Sequence, residues 1–250
     1  MDRTRLDLGL GRREALYRLG SVVAVGFLSG CGGSASSSPT STSSPTTPAT
    51  TGSTNAQCVV TPALTEGPYF VDEHLNRSDI RSDPATGAVR PGVTLTLAVA
   101  LSQISAAGAC AALSGALVDV WHCDALGVYS DIQGAIGQKF LRGYQVTDAS
   151  GLARFTTIYP GWYTGRAVHI HFKVRTNAGG SSGLEFTSQM FFDEALTDIV
   201  HAQAPYNAKG RRDTTLASDG IYRAGGTSLL VPLSAAGSGY AGTLDVGVRV

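Results

Sequence analysis

The sequence predicts an all-β protein, an antiparallel sandwich with long loops, and three observations carry that expectation. Apolar residues repeat at intervals of two along several segments, turn-forming dipeptides punctuate the chain at short spacings, and 31 glycines among 250 residues supply backbone for many connections. A helical period is legible only over residues 197–203.

Taken in order, the chain opens on an address. Arg12 and Arg13 precede an apolar run over residues 19–28, too short to span a bilayer and the right size for a signal-peptide core. The arginine pair resembles a twin-arginine export signal, matched only in part by Ala15 and Leu16. Leu28-Ser29-Gly30-Cys31 resembles a bacterial lipobox, which makes Cys31 the expected lipidation site; an ordinary cleaved signal is the alternative. Residues 32–56 are almost wholly Ser, Thr, Pro, Gly and Ala, a composition that cannot bury enough apolar area to fold and predicts a flexible tether. The expected organisation is a signal peptide with lipobox over 1–31, a linker over 32–56 and one β-sandwich over 57–250, exported and held at the membrane only through its lipid. Without residues 1–31 the chain carries 14 basic and 16 acidic side chains, which excludes a basic nucleic-acid footprint. Cys58, Cys110 and Cys123 are then left in an oxidising compartment, which predicts one disulfide and one free thiol with the pairing open. No two of them are close enough to form a zinc knuckle.

Strands follow from the period-two pattern. Val93, Leu95, Leu97, Val99 and Leu101 alternate with small or hydroxyl residues; Val118 and Val120 alternate with Asp119 and Trp121; Val168, Ile170, Phe172 and Val174 alternate with His169, His171 and Lys173; Leu244, Val246, Val248 and Val250 close the chain. Asp83-Pro84, Pro91-Gly92, Ser150-Gly151, Pro160-Gly161 and the 177–180 stretch mark turns between them.

Chemistry concentrates on three segments. Residues two apart on a strand project from one face, so His169 and His171 converge on a single point while their neighbours face the core. A surface pair without a ligand has the same spacing, so this motif alone leaves metal binding open. Upstream, Pro160-Gly161 brings Tyr163 and Arg166 close to the histidine strand. A third segment, 118–130, reads as a strand running into a loop that ends at Tyr129.

Together, Val118-Asp119-Val120-Trp121-His122 through Tyr129, Phe155-Thr156-Thr157-Ile158-Tyr159-Pro160-Gly161-Trp162-Tyr163 and His169-Ile170-His171-Phe172 resemble the intradiol ring-cleavage dioxygenases, the family of protocatechuate 3,4- and catechol 1,2-dioxygenases. The likeness covers about residues 58–195 and points to exported single-domain members. It implies Fe(III) held by Tyr129, Tyr163, His169 and His171, with Tyr129 permanent and Tyr163 displaceable. It further implies Arg166 and Gln189 beside the substrate, and Glu66, Tyr69 and Trp162 lining the pocket. The implied reaction opens a catechol with O2 to a cis,cis-muconate. The donor set suits that ion, because a phenol with a pKa of about 10 ligates only a strong Lewis acid, and two phenolates offset much of a triple positive charge. Only Thr164 and Gly165 separate Tyr163 from Arg166, a shorter link than in the cytosolic enzymes, which implies a more open pocket. His74, His122 and His201 match no family role and are expected to be structural or surface residues. Two other readings remain at this point: a zinc or Fe(II) enzyme in which Asp124 or Glu66 joins the histidines, and a non-catalytic surface lipoprotein.

Overall fold

A computed structural model describes residues 59–132, 134–176 and 183–249. The expected signal segment with Cys31, the linker, Cys58 and the turn at 177–180 lie outside these described residues. Within them the strands run β1 (Thr94–Ile104), β2 (Cys110–Ala112), β3 (Leu117–Trp121), β4 (Arg142–Val146), β5 (Leu152–Ile158), β6 (His169–Arg175), β7 (Glu185–Phe191), β8 (Leu233–Ala236) and β9 (Gly239–Arg249), with helices α1 (Glu194–His201) and α2 (Gly220–Arg223) between β7 and β8. One sheet has the order β2-β1-β9-β8 with β5 also on β1; the other has the order β4-β3-β6-β7. Every pairing is antiparallel except β1 with β9, which run parallel from Leu95↔Tyr240 to Ile104↔Arg249. That ladder departs from the antiparallel expectation because the chain returns to β1 only after the long α1–α2 crossover, which lets the last strand enter in the same direction.

Alternation builds the core. Leu95, Leu97, Val99 and Leu101 of β1, Phe155 of β5 and Leu244, Val246 and Val248 of β9 are buried in one cluster with Val118 and Val120 of β3 and Ile170, Phe172 and Val174 of β6. Each contributes roughly 1.5–3 kcal/mol of burial. The other face of the four-stranded sheet is therefore left to Arg142, Trp121, Asp119, His169, His171, Lys173 and Gln189, which the ladder register sets side by side. The segment before β1 roofs this face, pinned by Leu64 N to Thr187 O (3.1 Å) and Arg77 N to Tyr144 O (3.1 Å).

The helix expected over 197–203 begins three residues earlier. Asp193 caps it, its carboxylate accepting from Leu196 N at 2.9 Å, so polar residues ahead of the apolar period set the start. Among the described residues no helix is long and apolar enough to cross a membrane. Cys110 is disulfide-bonded and Cys123 is a buried free thiol.

His122 is structural. Fully buried, it donates from Nδ1 to Cys123 O (2.8 Å) and accepts at Nε2 from the Thr157 hydroxyl (2.7 Å), fastening β3 to β5. Burial pushes its pKa down to about 4, so the folded imidazole stays neutral while the unfolded one takes up a proton below about 6.5. The stability this residue provides is thus complete above pH 6.5 and declines as pH falls towards 4, by on the order of 3 kcal/mol. Denaturant titrations of wild type and His122→Asn should show a markedly shallower decline over that window in the variant.

Candidate active site

Two glycine contacts bring the tyrosine-bearing loops together. A Cβ on Gly161, before Tyr163, would collide with the backbone carbonyls of Asp124 and Ala125, and one on Gly127, before Tyr129, with the carbonyl of Trp162. Gly161 N also donates to Asp124 O (3.2 Å). With the loops so close, the Tyr129 and Tyr163 rings meet edge to face, centroids 5.7 Å apart, over the histidines.

His169 donates from Nδ1 to Ala167 O (2.6 Å), which leaves its Nε2 as a lone pair. That nitrogen lies 3.1 Å from the Tyr163 hydroxyl and 3.0 Å from His171 Nε2. Trp121 stacks flat on His171, centroids 5.0 Å apart and planes 9° apart, fixing the ring's tilt. The Tyr129 hydroxyl and His171 Nδ1 are buried with no hydrogen-bond partner among the described residues. Burial drives the Tyr163 pKa up to about 12, against the pull of Arg166, and raises that of Tyr129 well above the usual phenol value. Burial also pushes His169 down to about 3, and His171 is lowered too, by burial first and then by the adjacent His169 and the Arg166 and Arg142 charges.

Four donors thus face one another, uncharged and incompletely satisfied, and they fit a hard trivalent cation. Nitrogens 3.0 Å apart match adjacent ligands on an ion with bonds of about 2.1 Å. Tyr129, Tyr163, His169 and His171 would hold it, and its charge would outweigh the burial that otherwise keeps both phenols protonated. A two-histidine, one-carboxylate centre is not formed: among the described residues no three His, Cys, Asp or Glu side chains stand close enough to share an ion. Asp124 accepts from Leu126 N and Val128 N, each at 3.0 Å, and Glu66 is ion-paired to Lys173.

Beside this cluster Arg166 is held from two sides. Its Nε donates to Asp219 (2.9 Å) and its Nη2 to Gln189 Oε1 (2.5 Å), while Gln189 Nε2 donates to Thr65 O (2.8 Å). Asp219 also accepts from Ala167 N and caps α2 through Ile221 N and Tyr222 N. Burial works to raise the Asp219 pKa, but the Ala167 and Tyr222 N–H groups and the Arg166 charge hold it below the usual carboxylate value. The sequence reading missed Asp219; the Ser218-Asp219-Gly220 run is a helix-start signal that could have revealed it.

Tyr69 joins the cluster, 4.5 Å from Tyr129 and 5.9 Å from Tyr163 between centroids. Glu66 lies on the roof, and Gly67 beside it packs over His171. Trp162 turns toward α1's far loop, its indole donating to Gly210 O (3.3 Å) beneath Lys209. His74 is exposed, and His201 is buried against Pro160 O (3.1 Å) and Tyr206.

A β-sandwich that carries paired phenols and imidazoles on one open sheet face defines the class, and comparison with known proteins agrees. The family described as Dioxygenase matches residues 65–218. A chlorocatechol 1,2-dioxygenase from Pseudomonas putida is 35% identical over 115 residues, 37% of this chain and 42% of that protein, so the chain matches about two fifths of that relative's length. An intradiol ring-cleavage dioxygenase from Tetranychus urticae superposes with a TM-score of 0.66 at 28% identity, covering 77% of this chain and 95% of its own. The dioxygenase domain of a carbohydrate-binding fusion protein from Streptomyces sp. SirexAA-E does so with a TM-score of 0.54 at 28% identity, covering 77% and 99%. The chain belongs to the intradiol ring-cleavage dioxygenase family.

Gly161→Ala should force the two loops apart. Differential scanning calorimetry should show destabilisation of about 2 kcal/mol or more, in the range of overpacking a close contact.

Proposed function

We propose that this chain cleaves catechol-type rings between their two hydroxyl-bearing carbons, taking both oxygen atoms from O2 and using Fe(III) held by Tyr129, Tyr163, His169 and His171. The observation that carries this reading is the convergence of two buried phenols on two imidazoles, with the Tyr129 hydroxyl left without a hydrogen-bond partner among the described residues. Family membership and the name of the chlorocatechol-cleaving relative support it. When bound, the ion supplies the charge that lets a catechol coordinate as its dianion and makes its ring reactive towards O2.

The chain's own residues do the rest. Tyr129, the more deeply buried phenol, serves as the permanent ligand. Tyr163 is less enclosed and lies on a short loop, so it swings away when substrate enters and its phenolate takes a substrate proton. Arg166 has Nε and Nη2 tied to Asp219 and Gln189, which orients the guanidinium to meet negative charge building on the ring. The roof with Tyr69 keeps water from the reacting face. The product is a muconate-type dicarboxylate. The short Thr164-Gly165 link implies a more open mouth than in the cytosolic enzymes, one that would admit substituted catechols. We also read residues 1–31 as an export signal with lipidated Cys31 and residues 32–56 as a tether.

Iron-loaded protein in an oxygen electrode with a panel of catechols should consume O2, and mass spectrometry should find the intradiol product; extradiol products or no uptake would overturn the reading. Tyr129→Phe should abolish the visible tyrosinate-to-iron band and lower turnover roughly a hundredfold or more, in the range of losing one key stabilising group. Cys31→Ser should move the protein from the membrane to the soluble fraction in cell fractionation.

A further inference from the structure

Arg142 is a buried cation with an unusual set of partners. Its Nε donates to Ser130 Oγ (2.8 Å) and Ser130 O (3.1 Å), its Nη2 to Ser130 O (2.6 Å) and its Nη1 to Tyr69 O (2.7 Å). No carboxylate pairs with it among the described residues. Ser130 follows Tyr129 directly and donates from its own hydroxyl to Phe140 O (2.6 Å). Across the sheet Arg142 pairs with Trp121, whose indole stacks on His171. Burying a guanidinium against carbonyls and one hydroxyl forgoes the strong Arg–carboxylate pair, so the arrangement calls for a role beyond stability.

We propose that Arg142 is a positioning residue whose one guanidinium joins the carbonyl beside Tyr129 to the carbonyl of Tyr69, and so sets the spacing of the two rings that form a wall of the substrate pocket. The inference rests on the function proposed above for that pocket. Among the described residues no backbone–backbone hydrogen bond involves residues 65–74, and the roof around Tyr69 is held through side chains, by Gln189 on Thr65 O, Glu66–Lys173, Asp72–Arg175, Glu73–Lys139 and the Phe70 ring against Trp121. Beside the direct ring contact of Tyr69 with Tyr129, Arg142 adds a polar link from the Tyr69 carbonyl to the residue after Tyr129. A planar fork can span both carbonyls at once; the single ammonium of lysine cannot reproduce it.

The test is hydrogen exchange on iron-free Arg142→Lys, compared with Arg212→Lys, which alters a similarly placed guanidinium whose partners are Glu194 and Asp198 on α1. Exchange of the hydrogen-bonded amides of Leu64 and Arg77 on either side of Tyr69, and of Val128 and Asp131 on either side of Tyr129, should accelerate together, roughly tenfold or more, in Arg142→Lys and in neither segment of Arg212→Lys. Iron-loaded Arg142→Lys should show a KM increase larger than its loss of kcat, with a shifted visible band. Acceleration in one segment only, equal acceleration in Arg212→Lys, or unchanged KM and band would overturn the proposal. If Arg142→Lys does not fold, Arg142→Gln, whose single amide group can donate to one of the two carbonyls but cannot span both, decides: joint acceleration of both segments supports the proposal and its absence sinks it. Because exchange is read without metal, failure of wild type to bind iron would refute the proposed function while leaving this result to stand by itself.

Discussion

The two-residue repeat of β6 is the constraint on which the rest depends. Val168, Ile170, Phe172 and Val174 are locked into the space between the sheets, so His169 and His171 have no choice but the opposite face. A register slip of one residue would turn both imidazoles into the core and put Ile170 and Phe172 on the roofed face in place of the ligands. Hydrophobic burial on one side of the strand thereby fixes coordination chemistry on the other. The remaining site parts come to that face as loops, placed by close glycine contacts, a stacked indole and hydrogen bonds.

Low dielectric shapes what those groups are. Uncompensated burial keeps the phenols protonated and the imidazoles neutral, so the cluster carries little charge of its own until a cation is present. The charged groups nearby are tied down: Arg166 by Asp219 and Gln189, Lys173 by Glu66 and Glu185, Arg175 by Asp72 and Asp119. Asp119 shows the strain of this enclosure, since burial lifts its carboxyl to about 6 despite its arginine. Rigid ion pairs around a neutral centre form a preorganised frame, the kind of polar environment that need not rearrange when charge develops.

The sequence was most readable where a single physical period ruled. β1, β3 and β6 announced themselves by alternation because one face of each is buried, and the three motifs around Tyr129, Tyr163 and the histidines named the cluster the fold brings together. Asp219, Arg142 and Lys173 stayed hidden for a different reason. Their roles are to hold groups distant in sequence, 53 residues away for Asp219 with Arg166 and 73 for Arg142 with Tyr69, and nothing local encodes such a partner. The β1–β9 ladder escaped likewise: pairing direction depends on the path of the connecting chain, which periodicity does not record. Trp162 shows a related ambiguity, since its motif places it beside Tyr163 while its ring leans on Lys209 and Gly210.

The free thiol of Cys123 lies buried beneath the tyrosines, against Gly161 O at 3.5 Å, and burial pushes its pKa up to about 12. Thiol reagents attack the thiolate and need access to it, and this sulfur offers neither. A fluorophore or spin probe coupled to a cysteine engineered on the outer surface would therefore not be diverted to Cys123, so roof motions can be followed without first deleting that residue.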